Sequence, residues 1–174
     1  MSFSPRPEVT SLPEGVHGVV GEAELEALGL RADQVVDFSV NTNPFGPSPL
    51  VQEAISRVDL ARYPDPEARA LVRALAEKLG LPPAQVMVGN GSLEVLWLLA
   101  LACLRPGDKA LILGPTFGEY ERASRLHGAQ VLWLRANEKD FQLDLGAAGE
   151  LLRRERPRLT FLCQPNNPTG LYLG

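Results

Sequence analysis

From residue 86 onward, short continuously apolar runs alternate with segments of helical period, and this alternation is the strongest constraint on the fold. Val86-Met87-Val88, Ala110 to Leu113, Val131 to Leu134 and Leu159 to Cys163 read as strands. Between them, Leu93 to Leu104, Phe117 to His127 and Leu145 to Arg154 read as helices, and Gly128 stops the middle one. Strands that are apolar throughout, rather than at every second position, are buried on both faces. Such strands belong to a mainly parallel sheet with helices on either side. The expected fold is therefore α/β, a three-layer αβα arrangement. Leu171-Tyr172-Leu173-Gly174 follows a turn without a closing helix, so the sheet is expected to be incomplete within these residues.

The first part of the chain carries less pattern. Residues 1–45 read as an irregular arm with one helical piece, Glu22 to Leu28, and an apolar run, Val35 to Val40. Asn41 to Pro49 is too rich in Asn, Pro and Gly to be regular and reads as a loop. Ala68, Leu71, Val72, Leu75 and Leu79 then recur at helical spacing over 67–79, and Gly80 ends that helix. The expected division is 1–45 as the arm with part of a small domain, and 46–174 as the first part of a large ligand-binding domain.

Charge and composition exclude several functions. The net charge is −4 and no basic stripe is interleaved with aromatics, so nucleic acid has no electrostatic footprint here. No apolar run approaches the ~20 residues of a membrane span, and the first residues lack a signal-peptide core. Cys103 and Cys163 sit inside apolar segments without a CxxC pattern and read as free thiols, which points to a cytoplasmic protein. No metal-ligand spacing is present.

Three strings after strands carry chemistry. Gly89-Asn90-Gly91-Ser92-Leu93-Glu94 stands between a strand and an apolar helix. A helix N-terminus offers free N–H groups and the positive end of a dipole, so this is an anion site or, more simply, a tight turn with Ser92 as helix cap. A dinucleotide fingerprint would need glycine where Glu94 stands. Gly114-Pro115-Thr116-Phe117-Gly118-Glu119-Tyr120 offers Phe117 either to stack on a ring or to fill the core. Gln164-Pro165-Asn166-Asn167-Pro168-Thr169-Gly170 places two amides where an α/β sheet lines its ligand crevice.

Together with DFSVNTNPFGP, RYPDPE and the arm motif Val16-His17-Gly18, these strings resemble the first half of fold-type-I pyridoxal 5′-phosphate (PLP) enzymes, the aminotransferase class I/II superfamily. Within it they are similar to threonine-phosphate decarboxylases of cobalamin biosynthesis and to histidinol-phosphate aminotransferases. The arm motif is decarboxylase-like, with Val19 where a second glycine is usual. The resemblance implies that Gly91, Ser92 and Leu93 hold the cofactor phosphate, that Phe117 stacks on the pyridine ring and that Asn167 bonds its phenolic oxygen. It implies that Tyr63 reaches the phosphate in a partner subunit, hence a homodimer. It assigns Asn41 to a substrate carboxylate, and His17 with Gly18 to a substrate phosphate.

The implied function is a PLP-dependent lyase or transferase acting on a phosphorylated amino acid. The favoured expectation is a threonine-phosphate decarboxylase, the alternative a histidinol-phosphate aminotransferase, and an inactive truncated remnant or non-catalytic phosphometabolite binder the reading of another class. The family's Schiff-base lysine is expected beyond these residues. Lys78, Lys109 and Lys139 read as a helix, turn and loop lysine, all solvated, so no catalytic residue is assigned and the 174 residues alone are expected to be inactive.

Overall fold

The computed structural model describes residues 4–12, 18 and 21–174. These fall into two compact units, Met1–Gly15 with Leu71–Gly174, and Val16–Ala70.

The larger unit is built on three parallel strands: β1 (Lys109–Gly114), β2 (Gln130–Arg135) and β3 (Leu159–Phe161), in the order β2-β1-β3. Lys109 to Gly114 pair with Gln130 to Arg135, and Ala110 to Ile112 pair with Leu159 to Phe161. Central β1 is buried on both faces, as its unbroken apolar run requires. On one face Ala110 and Ile112 meet Ala100, Leu104, Ala123 and Phe161; on the other Leu111 and Leu113 meet Ala148. The first core is closed by α5 (Gly91–Cys103) and α6 (Glu119–Leu126), the second by α7 (Leu145–Glu155). The expected three layers are present, with β1 and β2 each followed by a helix that returns over the sheet.

The expectation at 86–88 fails. Val86 has extended backbone, φ −114° and ψ 121°, yet the run pairs with no strand among the described residues. Apolar residues make a strand only beside a second backbone, and 86–88 lies beside neither edge strand of this sheet, β2 or β3. β3 ends at Phe161, two residues before the expected Cys163, because the following turn bonds to itself rather than to β1. α6 starts at Glu119 rather than Phe117, leaving Phe117 in the loop. Lys109, read as a turn residue, is the first residue of β1, half-buried, with its Nζ 2.9 Å from Glu155 Oε2.

α4 (Arg69–Leu79) starts two residues later than the apolar period suggests, because Ala68 has a φ of 44° and Asp65 accepts the Arg69 N–H at 3.1 Å. In the smaller unit, α2 (Glu22–Leu28) ends on left-handed Gly29, and α3 (Pro49–Ser56) follows the Asn41 loop. α3 was not expected, although Ser48 followed by Pro49 at the first helical position is a start signal. A further short helix, α1 (Pro7–Thr10), lies near the chain start. No helix of the described residues is long and apolar enough to cross a membrane, and among them no group of side chains is set to hold a metal ion.

Candidate cofactor site

Two of the chemistry-bearing strings leave the carboxyl ends of adjacent strands, β1 and β3. The third opens α5, and its placement follows from the two ends of that helix. The Arg158 Nε donates to the Cys103 carbonyl at 3.2 Å and the Arg158 N–H donates to the Lys109 carbonyl at 2.7 Å, which ties the end of α5 to the start of β1. Trp97 Nε1, halfway back along α5, reaches Glu119 Oε2 at 3.2 Å, just past the end of β1. The 13-residue helix and the six-residue strand are each about 20 Å long. The N-terminus of α5 therefore stands at the carboxyl edge of the sheet.

At that N-terminus Gly91 has a φ of 78°, a left-handed conformation that costs any residue with a Cβ. Asn90, not Ser92, precedes the helix, and Glu94 Oε2 accepts the Asn90 N–H at 2.6 Å and its Nδ2 at 3.1 Å. Ser92 and Leu93 are exposed first-turn residues whose N–H groups have no acceptor within the helix. The turn is thus held by Asn90 and Glu94, which leaves Ser92 unused for capping.

The loop after β1 begins at Gly114, where an added Cβ would lie 2.6 Å from the Trp133 ring. Phe117 is half-buried, its ring edge-on to Tyr120 at 5.9 Å and 89°. Tyr120 stacks on Phe161 at 4.7 Å, so the loop aromatic is the outer end of a row that begins in the core. Burial, with the adjacent Cys163 thiol second, pushes the Tyr120 hydroxyl up to about 12. Thr116 Oγ1 is buried without a hydrogen-bond partner among the described residues, a hydroxyl that needs one.

Glu119, which sequence reasoning passed over, is 4% exposed and also bonds Arg122, its Oε1 3.1 Å from Arg122 Nε. A glutamate and an arginine three apart at a helix start carried that signal.

In the loop after β3 the two asparagines differ. Asn166 is half-buried; its Nδ2 donates to the Pro115 carbonyl at 2.9 Å and to Thr169 Oγ1 at 2.8 Å. Asn167 is exposed, its backbone N–H 3.4 Å from Cys163 Sγ, and its side chain makes no hydrogen bond among the described residues. The two loops are therefore tied together, with Phe117 in one and Asn167 in the other. Lys109 stands at the opposite edge of the sheet, and Lys78 and Lys139 are exposed.

The remaining expected residues belong to the smaller unit. Asn41 is exposed and Tyr63 is fully exposed. Gly18 lies against Ser39: a Cβ there would meet the Ser39 carbonyl oxygen at 1.8 Å, so nothing larger fits. His17 lies outside the described residues.

Residues 33–173 match the family model described as aminotransferase class I and II. The chain is 36% identical over 174 residues to the histidinol-phosphate aminotransferase of Roseiflexus castenholzii, covering 97% of this chain and 47% of that protein. Among solved structures it is similar to histidinol-phosphate aminotransferase from Sinorhizobium meliloti in complex with pyridoxal-5′-phosphate, with TM-score 0.77 and 27% identity over 96% of this chain and 44% of that one. It is also similar to a decarboxylase from Sulfurospirillum multivorans, with TM-score 0.60 and 29% identity over 72% of this chain and 31% of that one. The chain spans about half the length of the relatives it matches.

Proposed function

The chain belongs to the aminotransferase class I and II family, PLP-dependent enzymes, and from that premise we propose that it forms part of a transaminase acting on a phosphorylated amino compound of the histidinol-phosphate kind. The observation that carries this is that the α5 N-terminus and the Phe117 and Asn167 loops stand at the same edge of the sheet. The residues there suit the cofactor: free first-turn N–H groups for a phosphate, an aromatic at a loop, an uncommitted amide and an orphan hydroxyl at Thr116.

PLP, when bound, supplies an electron-withdrawing ring that weakens bonds at the substrate's α-carbon. The N–H groups of Ser92 and Leu93, with the Ser92 hydroxyl, bind its phosphate, helped by the α5 dipole. Phe117 would stack on its ring. Asn167 donates its side-chain N–H to the phenolic oxygen, holding charge there. Tyr63 contacts the phosphate held by a second copy of the chain, and its full exposure suits a residue spent on a partner. In the smaller unit Asn41 binds the carboxylate of the 2-oxo acid co-substrate, since histidinol phosphate itself carries none. The family resemblance gives the substrate phosphate to His17 and Gly18, and Gly18 packs on Ser39 within the smaller unit.

The relatives favour transamination over the decarboxylase expected from the arm motif. The similar decarboxylase structure keeps lyase chemistry as a second reading. The test supplies the intact protein and PLP with histidinol phosphate and a 2-oxo acid, and separately with threonine phosphate. Amino transfer in the first supports the reading; CO₂ release in the second alone replaces it with the lyase.

A further inference from the structure

We propose that Asn166 is a positioning residue that sets the width of the cofactor crevice by fixing the loop after β1 against the loop after β3. This rests on the reading that those loops hold PLP. The turn around Asn166 is closed by its own backbone: the Asn166 N–H donates to the Leu171 carbonyl at 2.8 Å, and the Gly170 N–H donates to the Asn166 carbonyl at 2.6 Å. Those bonds shape the turn but do not place it. Placement comes from the side chain, whose Nδ2 reaches the Pro115 carbonyl 51 residues away while its second hydrogen goes to Thr169 Oγ1.

A primary amide has two N–H donors, and both are used. Asn166 therefore cannot donate to a ligand, whereas Asn167 beside it can, and the pair divides into a clamp and a contact. Pro115 lies two positions before Phe117, so the clamp fixes the stacking aromatic and the Asn167 amide by a single side chain. Because Nδ2 is needed at a carbonyl oxygen, an isosteric carboxylate there would meet Pro115 with repulsion instead of a bond. An error of about an ångström between such loops is enough to spoil cofactor placement.

The experiment uses the intact protein with Asn166→Asp, and Asn166→Ala should the charged variant fail to fold. Hydrogen exchange is followed without PLP, and PLP is then titrated by its visible absorption. Exchange over 115–118 and 163–171 should rise about five-fold or more while that of 110–113 stays at the wild-type rate. PLP affinity should fall about ten-fold, the cost of leaving the Pro115 acceptor unpaired. The pH at which the bound cofactor changes its visible band should also shift, because Asn167 no longer meets the phenolic oxygen. Thr169→Ser, which keeps the hydroxyl, should behave as wild type and Thr169→Ala should not. A folded Asn166 variant with unchanged loop exchange overturns the clamp. Altered exchange with unchanged affinity and band overturns its role toward the cofactor. Wild-type protein that binds no PLP overturns the functional reading instead, and the exchange data still decide the clamp.

Discussion

The indole N–H of Trp97 donates to the buried carboxylate of Glu119 across 22 positions of sequence, at 3.2 Å. That bond joins the middle of α5 to the start of α6 and leaves Glu119 Oε1 for Arg122. Glu119→Ala strands both partners and should cost about 2–4 kcal/mol, because removing one side of a buried ionic cluster leaves the other uncompensated. Trp97→Phe removes only the donor and should cost about 1–2 kcal/mol. Urea unfolding of the two variants and of their combination measures both. A double variant no worse than Glu119→Ala alone would confirm that the two residues act through one bond.

Gly114 is confined by Trp133, whose ring would lie 2.6 Å from an alanine Cβ. Gly114→Ala should destabilise by about 1–3 kcal/mol through overpacking, and Trp133→Leu in the same chain should recover most of it. Thermal denaturation of the single and double variants decides; no recovery would mean that the strain lies in the backbone.

Gly91 presents no crowding, since nothing lies within 4 Å of an added Cβ, but its φ is 78°. Gly91→Ala should therefore cost about 1–2 kcal/mol through conformation alone. It should also weaken PLP, because relaxing φ re-aims the first-turn N–H groups of α5. Equal affinity for PLP in the variant would move the phosphate away from this turn.

Tyr120 should remain protonated through the range in which an ordinary phenol ionises. Its hydroxyl is raised from 10.0 to about 12 in the fold by burial and by the Cys163 thiol. A folded value above the unfolded one gives stability that is fully present below pH 10 and is lost as pH rises toward about 12. Ultraviolet titration should show one of the three tyrosines ionising late, and Tyr120→Phe should remove that step. Three coincident ionisations near the ordinary value would contradict it.

Tyr63 tests the dimer. Tyr63→Phe should weaken PLP binding by about 0.5–1.5 kcal/mol, one hydrogen bond's net worth, with the sedimentation of the dimer unchanged. A wild-type monomer that binds PLP normally would remove Tyr63 from the site.

What the sequence determined by itself is what local pattern encodes. The apolar runs of β1 and β2, the period of α4 and the glycine stops placed the elements within about two residues, because burial on both faces and a 3.6-residue repeat are visible in the order of the residues alone. It also singled out Gly91, Phe117 and Asn167, since helix starts and strand-end loops announce themselves through glycine, proline and asparagine. It could not decide pairing. Val86 to Val88 reads like β1 in composition, yet a strand exists only where a second backbone lies beside it. Nor could it divide work between two adjacent asparagines: Asn166 became the clamp because β1 and β3 are neighbours, which brings the Pro115 carbonyl to its side chain. The same holds for Glu119, exposed by helical rules at a first turn but buried because α5 packs over it with Trp97. Local periodicity is a property of consecutive residues. Hydrogen bonds spanning 22 or 51 positions come into being only when the layers close.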